Sequence, residues 1–526
     1  MLIFSSELVL DYIHSSGKTK QFFNAHYKDP HAFQAVAKKV KRPLDPVVQE
    51  IFEAQIKDLP NSHASHRYLQ NLSGPLCTIV TGQQAGLFGG PLFTIYKALT
   101  TIKLAKKLSA EWNETVLPVF FIASEDHDYE QVRCLGIIDN ENQFQTLCLP
   151  EQPDNRKPVA DLGLPEETKE LSSQLHEMFP DTEYKQNILE KLFRIYTPGK
   201  SMSGAFREWL LFLFSDLGLL VLDGADERLK EASSQILRTE LEERTSLTAL
   251  SNTNEKLTSA GYSIQLPFQK NRPALLYLYN GERHGIEWDP EKKSYIHLGT
   301  RDHIPMDRLK DVAVLSPKAA LRPLMQDTVL PTVAYVGGPG EIAYWAQLKE
   351  LYEKMNMTMP VVVPRANCTL VEPKVKRHLQ RYEIDVENVL KNPDQIISQI
   401  TNDMIPGHIK IKFDEIKSRL DEFWAELLTD IQEIEPTMKS VIEKGEKGVT
   451  RQLDSIEGRL AKAIQKREQT VVQQLQALVT HLMPQGNLQE RQIGLLSYLL
   501  KFGPGIINRL YEEIEFPFTE HKFIEL

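Results

Sequence analysis

The chain has no apolar run long enough to cross a bilayer. Its most apolar stretch, Trp209–Phe214, is about one and a half helical turns long, whereas a membrane helix needs about 20 apolar residues. It has no long basic run either, and its formal net charge is −10. A surface of that sign has no general attraction to phosphate backbones, so nucleic-acid binding is not expected. Cysteine is scarce: Cys77, Cys134, Cys148 and Cys368 are scattered, without a C-x-x-C pair. That pattern argues against a zinc ribbon and a disulfide framework, and four reduced thiols in a reducing cytoplasm are expected. The opening MLIFSSELVLDYIHSS lacks a basic n-region and is acidic by residue 11, which makes a poor signal peptide. The expectation is a cytoplasmic protein with no membrane partner. No low-complexity tract or short internal repeat stands out.

What is present is ordinary globular material. Charged residues make up 25% and apolar residues 41%, which excludes large-scale disorder. At 526 residues the length suggests about two to four domains. Five short runs read as buried strands: CTIVT (77–81), LPVFFIA (117–123), GLLVLD (218–223), TVAYV (332–336) and PVVVP (360–364). Each is apolar on both faces, as in a parallel sheet covered by helices. A helix is expected from Pro91, at its first position, to about Leu108. Leu92, Ile95, Leu99 and Ile102 form its apolar stripe, with Lys97, Lys103, Lys106 and Lys107 largely off it. Strand, glycine loop, helix and strand make a right-handed βαβ unit. The fold class is therefore α/β.

Two regions depart from that pattern. Between 261 and 300, SIQLPF, ALLYLYN and GIEWD surround an Asn280-Gly281 step, the preferred two-residue hairpin turn. A small antiparallel appendage inserted in the core is expected. From about residue 376 to 485 apolar residues alternate at four and three: Ile409, Phe413, Ile416, Leu420, Phe423 and Leu427, then Val449, Leu453, Ile456 and Leu460. That is a heptad seam. Gly445 and Gly448 are placed where the arm folds back on itself as an antiparallel hairpin. The narrow seam points to dimerisation, with a self-contained bundle as the other reading. Deleting about 405–483 should then yield a monomer by light scattering. The domain reading is 1–375 as core, 376–485 as arm, and 486–526 as a segment returning to the core.

In open parallel sheets, ligands bind beyond the carboxyl ends of the strands. The polar clusters fall there: TGQQAGLFGGP (81–91), SEDHDYE (124–130), DGAD (223–226), GGPGE (337–341) and PRANCT (364–369). Gly82, Gly86, Gly89 and Gly90 let backbone amides approach an anion before a helix N-terminus. Gln83 and Gln84 offer hydrogen bonds of either polarity, and Thr94 and Lys97 of the next helix join this binding set. On that reading Gly89→Val or Gly90→Val weakens binding more than folding; the plainer reading is a tight structural turn. Glu125, Asp126, His127 and Asp128 form the candidate catalytic cluster. His127 can move a proton near neutral pH, with a neighbouring carboxylate to orient it. The acids are expected to hold its pKa near or above the free value. The same residues suit a divalent metal or, with Ser124, a helix cap; no metal is assigned. Gly337, Gly338, Glu341 and Tyr344 repeat the glycine-then-helix logic, and Arg322 is a fork for a carboxylate, or a structural ion pair.

These motifs carry a resemblance. TGQQAGLFGGPLFTIYKA, PVFFIASEDHDYEQV and AYVGGPGEIAYW, with SMSGAFREWL, LGLLVLDGAD and the tail PQGNLQERQIGLLSYL, resemble the family of cysteine ligases of bacillithiol biosynthesis over nearly the whole chain. The resemblance implies a Rossmann-like core akin to nucleotidylyl transferases, connecting insertions, and a coiled coil that makes a homodimer. It implies the last step of bacillithiol synthesis, joining cysteine to glucosaminyl malate. A carboxylate is a poor acyl donor, so an activated cysteine carboxyl and ATP as co-substrate are expected. His127 would be the base, with Asp126 or Asp128 orienting it, and His127→Asn would then cost on the order of 10²–10⁴-fold in turnover. The glycine loops would hold the acyl group or the malate carboxylates. A nucleotide- or sugar-binding protein without catalysis, and a coiled-coil scaffold with an inert core, are the competing classes.

Overall fold

All five apolar runs enter one parallel sheet. The computed structural model describes the chain apart from residues 1–5, 58, 60–62, 69–70, 153–155 and 518–519. The first five residues of the N-terminal reading thus lie outside the described residues; Glu7–Ile13 is a helix. In chain order the strands are β1 (Cys77–Gln83), β2 (Val116–Ile122), β3 (Cys134–Ile138), β4 (Phe144–Cys148) and β5 (Leu220–Asp223), then β6 (Leu275–Tyr279), β7 (Glu282–Asp289), β8 (Ser294–His297), β9 (His303–Ile304), β10 (Leu315–Pro317), β11 (Thr332–Gly337) and β12 (Val361–Pro364). The central sheet runs β12-β11-β1-β2-β5, parallel throughout. From β1 the chain crosses outward to β2, and from β11 it crosses the other way to β12. The gap between the carboxyl ends of β1 and β11 is therefore a topological switch point, where a ligand crevice opens in such sheets.

Helix α1 (Leu92–Trp112) packs on β1 and β2. It begins one residue after Pro91, which stays outside the helix, and continues past Leu108. Asn113 in the left-handed region (φ 54°) ends it. The stripe residues Leu92, Ile95, Leu99 and Ile102 are fully buried. Lys97 departs from expectation, being buried as well. The reason is that its ammonium turns to the carboxyl end of the sheet, where Glu341, the Gly82 carbonyl and Gln83 Oε1 receive it; Gln489–Gln492 and Gly505–Glu513 also pack on α1.

The inserted region is a five-stranded antiparallel sheet in the order β10-β6-β7-β8-β9. Asn280 (φ 53°) and Gly281 (φ 78°) make its first turn, both left-handed as a type I′ turn requires. SIQLPF is not a strand. Pro267 has no amide to donate, and the N–H groups of Gln265 and Leu266 instead donate to Oε1 of the buried Gln347, at 3.0 and 2.8 Å. Cysteine also differs from expectation. β3 and β4 pair antiparallel with Cys134 opposite Cys148, and the two form a disulfide. Their spacing carries no signature; only the register of the hairpin brings them together. Cys77 and Cys368 are free and buried.

The chain forms two compact units. The first comprises Met1–Thr369 and Gln489–Ile524, the second Leu370–Leu488 and Glu525–Leu526. In the second, the long helices Gly407–Ile434 and Lys439–Arg467 pack as a hairpin. Its turn lies at Glu435–Met438, not at Gly445 and Gly448, which sit inside the second helix. Glu435 accepts a hydrogen bond from the Thr437 hydroxyl at 2.6 Å. Gly445 serves packing: a Cβ there would come within 3.2 Å of the Trp424 ring. Lys417 bridges the helices to Asp454 (3.1 Å) and Glu457 (2.9 Å). No residue of the first long helix is buried, and Ile411, Ile416, Phe423, Val441, Val449 and Ile456 remain exposed.

Candidate active site

At the carboxyl ends of β1 and β11 lies a cavity of about 510 Å³. Gly82, Gln83 and Gln84 line it from the end of β1, and Phe121, Ala123, Asp126, Asp128 and Gln131 from β2 and its loop. Tyr335, Gly338, Glu341 and Tyr344 come from β11 and the helix after it; Arg322 and Gln326 lie on helix Arg322–Val329. Phe93 and Lys97 belong to α1, and Arg365 and Arg491 complete the wall. Gly82 permits the close pairing of β1 with β2, since a Cβ there would sit 2.9 Å from the Phe121 carbonyl oxygen.

Asp126 is the best-connected carboxylate. Gln84 Nε2 donates to it at 3.0 Å, the His127 amide at 2.8 Å and Arg283 Nη1 at 3.3 Å; Arg322 Nη1 stands 3.6 Å away. Burial, the largest single influence, opposes its ionisation, but Arg322 and Arg283 together with the hydrogen bonds from the His127 amide and Gln84 outweigh it and the pKa is lowered. Arg322 thus faces both the cavity and Asp126. Asp128 accepts from the Gln131 amide. Glu125 points elsewhere. It is buried and pairs with Lys230 at 3.1 Å, against a separate small pocket. Burial raises its pKa, with Lys230 opposing. Ser124 is no helix cap: its hydroxyl donates to the Asp223 carboxylate.

His127 lies between two cavity-lining acids but does not itself line the cavity; its side chain is 41% exposed beside it. Its pKa is lowered, contrary to the sequence expectation. Burial is the largest cause and Arg283 the next; together they outweigh Asp126 and Asp128. The sequence expectation lacked both the burial and Arg283, whose Nη1 is 3.1 Å from His127 Nδ1.

The β11 side is held by Glu341. Its carboxylate pairs with Lys97 and accepts from the Tyr335 hydroxyl at 2.6 Å and the Gly338 amide at 2.8 Å. Lys97 also donates to the Gly82 carbonyl (2.8 Å) and Gln83 Oε1 (2.9 Å). Burial lowers the Lys97 pKa, and Glu341 opposes this. Burial and Glu341 push the Tyr344 phenol up, so it faces the cavity as a neutral hydroxyl. Arg365 forms a buried bidentate pair with Glu490, at 2.7 and 3.0 Å. Next to Glu490, Arg491 reaches the cavity.

The structure moves Gly86, Gly89, Gly90 and Thr94 out of this wall. Gly89 (φ 96°) and Gly90 (φ 69°) form a tight turn. A Cβ on Gly89 would meet the Trp209 ring at 3.0 Å, and one on Gly86 would meet Gly90 Cα at 2.9 Å. Thr94 is buried beneath Gly90, and Gly337 lies against Glu341 and Tyr335. Gly89→Val is therefore expected to act on folding, lowering stability by about 1–3 kcal/mol through backbone strain and the Trp209 clash. Thermal unfolding reads this directly; an unchanged midpoint with weakened ligand binding would restore the loop to the site. Among the described residues no group of three or more His, Cys, Asp or Glu side chains is placed to hold a metal ion.

Arg283, Arg365 and Arg491 were not singled out from the sequence. Arg365 stood inside the fifth loop cluster and Arg491 inside the tail motif, so both had a signal. Arg283 had none, because it comes from the inserted sheet, 156 residues from His127.

Comparison with known proteins agrees with this architecture. Residues 2–366 match the model of "Bacillithiol biosynthesis BshC, N-terminal Rossmann-like domain", and residues 368–526 match the C-terminal coiled-coil domain of the same family. A protein of Chlorobaculum tepidum named "Putative cysteine ligase BshC" is 31% identical over 91% of this chain and 88% of its own length. One of the same name from Salinibacter ruber is 28% identical over 98% and 96%. A solved chain from Campylobacter jejuni, titled as an arginyl-tRNA synthetase, aligns at 10% identity over 79% of this chain and 94% of its own, with a TM-score of 0.25, too low to argue from. With both domain models matched, the chain belongs to the BshC family of bacillithiol biosynthesis.

Proposed function

We propose that this chain is a cysteine ligase that forms the amide between the cysteine carboxyl and the amine of glucosaminyl malate, with ATP activating the carboxyl. Family membership and the relatives' name support the reaction class. The observation that carries the reading is one cavity at the switch point of the sheet, lined by Arg322, Arg365, Arg491 and Lys97 together with Asp126 and Asp128. The cations suit carboxylates and phosphates, and the acids suit an ammonium or sugar hydroxyls.

The chemistry sets the order of events. A carboxylate oxygen of cysteine attacks a phosphorus of ATP and expels pyrophosphate or ADP. The amine, having lost a proton, then attacks the activated carbonyl. The carbon–oxygen bond breaks, and AMP or phosphate leaves. Fixed cations at the developing negative oxygens stabilise both steps without reorganising. Cysteine carrying ¹⁸O in its carboxyl, incubated with ATP and glucosaminyl malate, tests this. Mass spectrometry should find one ¹⁸O in the released AMP, with pyrophosphate as its co-product, or in the released phosphate, with ADP as its co-product. Product formed without ATP, or released nucleotide and phosphate without label, would contradict activation. Ligand binding without product would favour a binding protein.

The enzyme is further proposed to be a cytoplasmic homodimer through its arm. Among the described residues no helix is long and apolar enough to cross a membrane, and the exposed row on the hairpin is the surface a second copy would cover. Phe423→Asp with Ile456→Asp, at positions each 54% exposed, should halve the mass in light scattering while helix content stays constant. A mass unaffected by the pair would exclude this face as the interface.

A further inference from the structure

Arg283, on β7 of the inserted sheet, contacts the cavity-lining Asp126 and its neighbour His127 just outside the cavity wall, and each of its three guanidinium nitrogens has a partner. Its side chain is 4% exposed. Nε donates to Ser316 Oγ at 3.0 Å and Nη2 to the Pro317 carbonyl at 2.8 Å. Nη1 is directed at Asp126 Oδ1 (3.3 Å) and His127 Nδ1 (3.1 Å). A guanidinium carries only donors and keeps its proton at any pH the protein survives. Nδ1 must therefore offer its lone pair to Arg283. A neutral imidazole has one N–H, so that proton sits on Nε2. Protonating Nδ1 would set N–H against N–H. Asp126 Oδ1, 3.7 Å from Nδ1, is already shared with Arg283 and the His127 amide.

We propose that Arg283 is a positioning residue that locks His127 as the neutral Nε2–H tautomer, so that His127 meets substrate as a hydrogen-bond donor and does not take the proton of the attacking amine. The role assigned to His127 rests on the ligase reading; the tautomer does not. The charges facing the ring agree with the lock. Arg283 and Arg156 disfavour its protonation together with burial, against Asp126 and Asp128. Nε2–H is the form that can stabilise a developing oxyanion or a departing phosphate oxygen, whereas a base needs a lone pair on the free nitrogen. The inserted sheet thereby touches the cavity wall indirectly, through the contact of Arg283 with Asp126.

The full-length protein with ¹⁵N-labelled histidine rings, its His127 signals assigned from His127→Gln, tests the lock. The ring should show a protonated Nε2 and an unprotonated Nδ1 at about pH 8, and should keep that form through the ordinary imidazole midpoint of about 6.5. Arg283→Met should mix the tautomers and raise the His127 pKa. It should add a limb to the pH profile of kcat between about 5.5 and 7.5, and lower kcat on the order of 10²-fold with little change in KM. Arg283→Lys, which keeps a donor-only cation, should restore part of both. His127→Gln retains an N–H near the Nε2 position and should keep well over the activity of His127→Leu; a base would lose the two equally. A protonated Nδ1 in the wild type, or equal loss in Gln and Leu variants, overturns the proposal even if product forms. A correct tautomer in an enzyme that makes no product overturns the ligase reading, and with it the role of His127, while the lock by Arg283 stands.

Discussion

Glu490→Gln should destabilise the first unit by about 3–5 kcal/mol, the usual result of stripping one partner from a buried ion pair. Glu490 and Arg365 are 2% and 3% exposed, and two short bonds join them. Burial alone would weaken the hold of Arg365 on its proton, but Glu490 more than offsets it, and the guanidinium pKa is raised. Glutamine keeps the shape and removes the charge. Arg365 then remains cationic, with neutral acceptors, among them the Ala366 carbonyl (2.8 Å) and Asn367 Oδ1 (2.9 Å), in place of its paired carboxylate. The pair also ties the C-terminal segment to the end of β12, so Arg491 loses its seat in the cavity wall. Replacing both residues by Met should recover much of the stability, since apolar substitutes for a buried pair are often neutral. Denaturant unfolding of the single and double variants measures this. A single variant within about 1 kcal/mol of wild type would show that the pair is solvated in solution.

Asp126→Ala should lower kcat/KM on the order of 10²-fold, the scale of an ångström-level misplacement of binding groups, while the protein stays folded. Gln84, Arg283, Arg322 and the His127 amide all converge on this one carboxylate. Without it Arg322 and Gln84 are no longer aimed, and Arg283 has His127 alone at Nη1. Asp126 is itself a poor base, because two guanidinium groups lower its pKa. Its effect should therefore appear across the whole pH range above the carboxylate region, with no new limb. A steady-state pH profile checks this; a loss confined to one limb would make Asp126 a proton carrier.

Periodicity and composition reveal the scaffold because burial acts locally. CTIVT, LPVFFIA, GLLVLD, TVAYV and PVVVP are apolar on both faces for the same reason that all five are covered by helices. The Asn280-Gly281 turn was readable because two successive left-handed residues admit few side chains. What eluded the sequence depends on distant partners. Gly89 and Gly90 share their signature with an anion cradle, and only the Trp209 ring against them shows a structural turn. Gly445 and Gly448 look like a break until Trp424 is seen against the first of them. Lys97 scans as surface, and only Glu341, the Gly82 carbonyl and Gln83 around its ammonium show why it is buried. The acidic neighbours of His127 in sequence point to a raised pKa, yet burial first and a guanidinium from another sheet second reverse it. Cys134 and Cys148 needed the register of a hairpin.

The most direct test of the account is the mass of the product made by purified wild type and by Arg322→Gln from cysteine, glucosaminyl malate and ATP. The account predicts a single product, heavier than glucosaminyl malate by one cysteine less one water, that forms only with ATP. It also predicts that Arg322→Gln binds glucosaminyl malate more weakly and makes that product on the order of 10²-fold more slowly, with unchanged thermal unfolding. A folded Arg322→Gln enzyme that keeps wild-type turnover would place the chemistry outside this cavity, and a wild type that makes no such product would contradict the ligase itself.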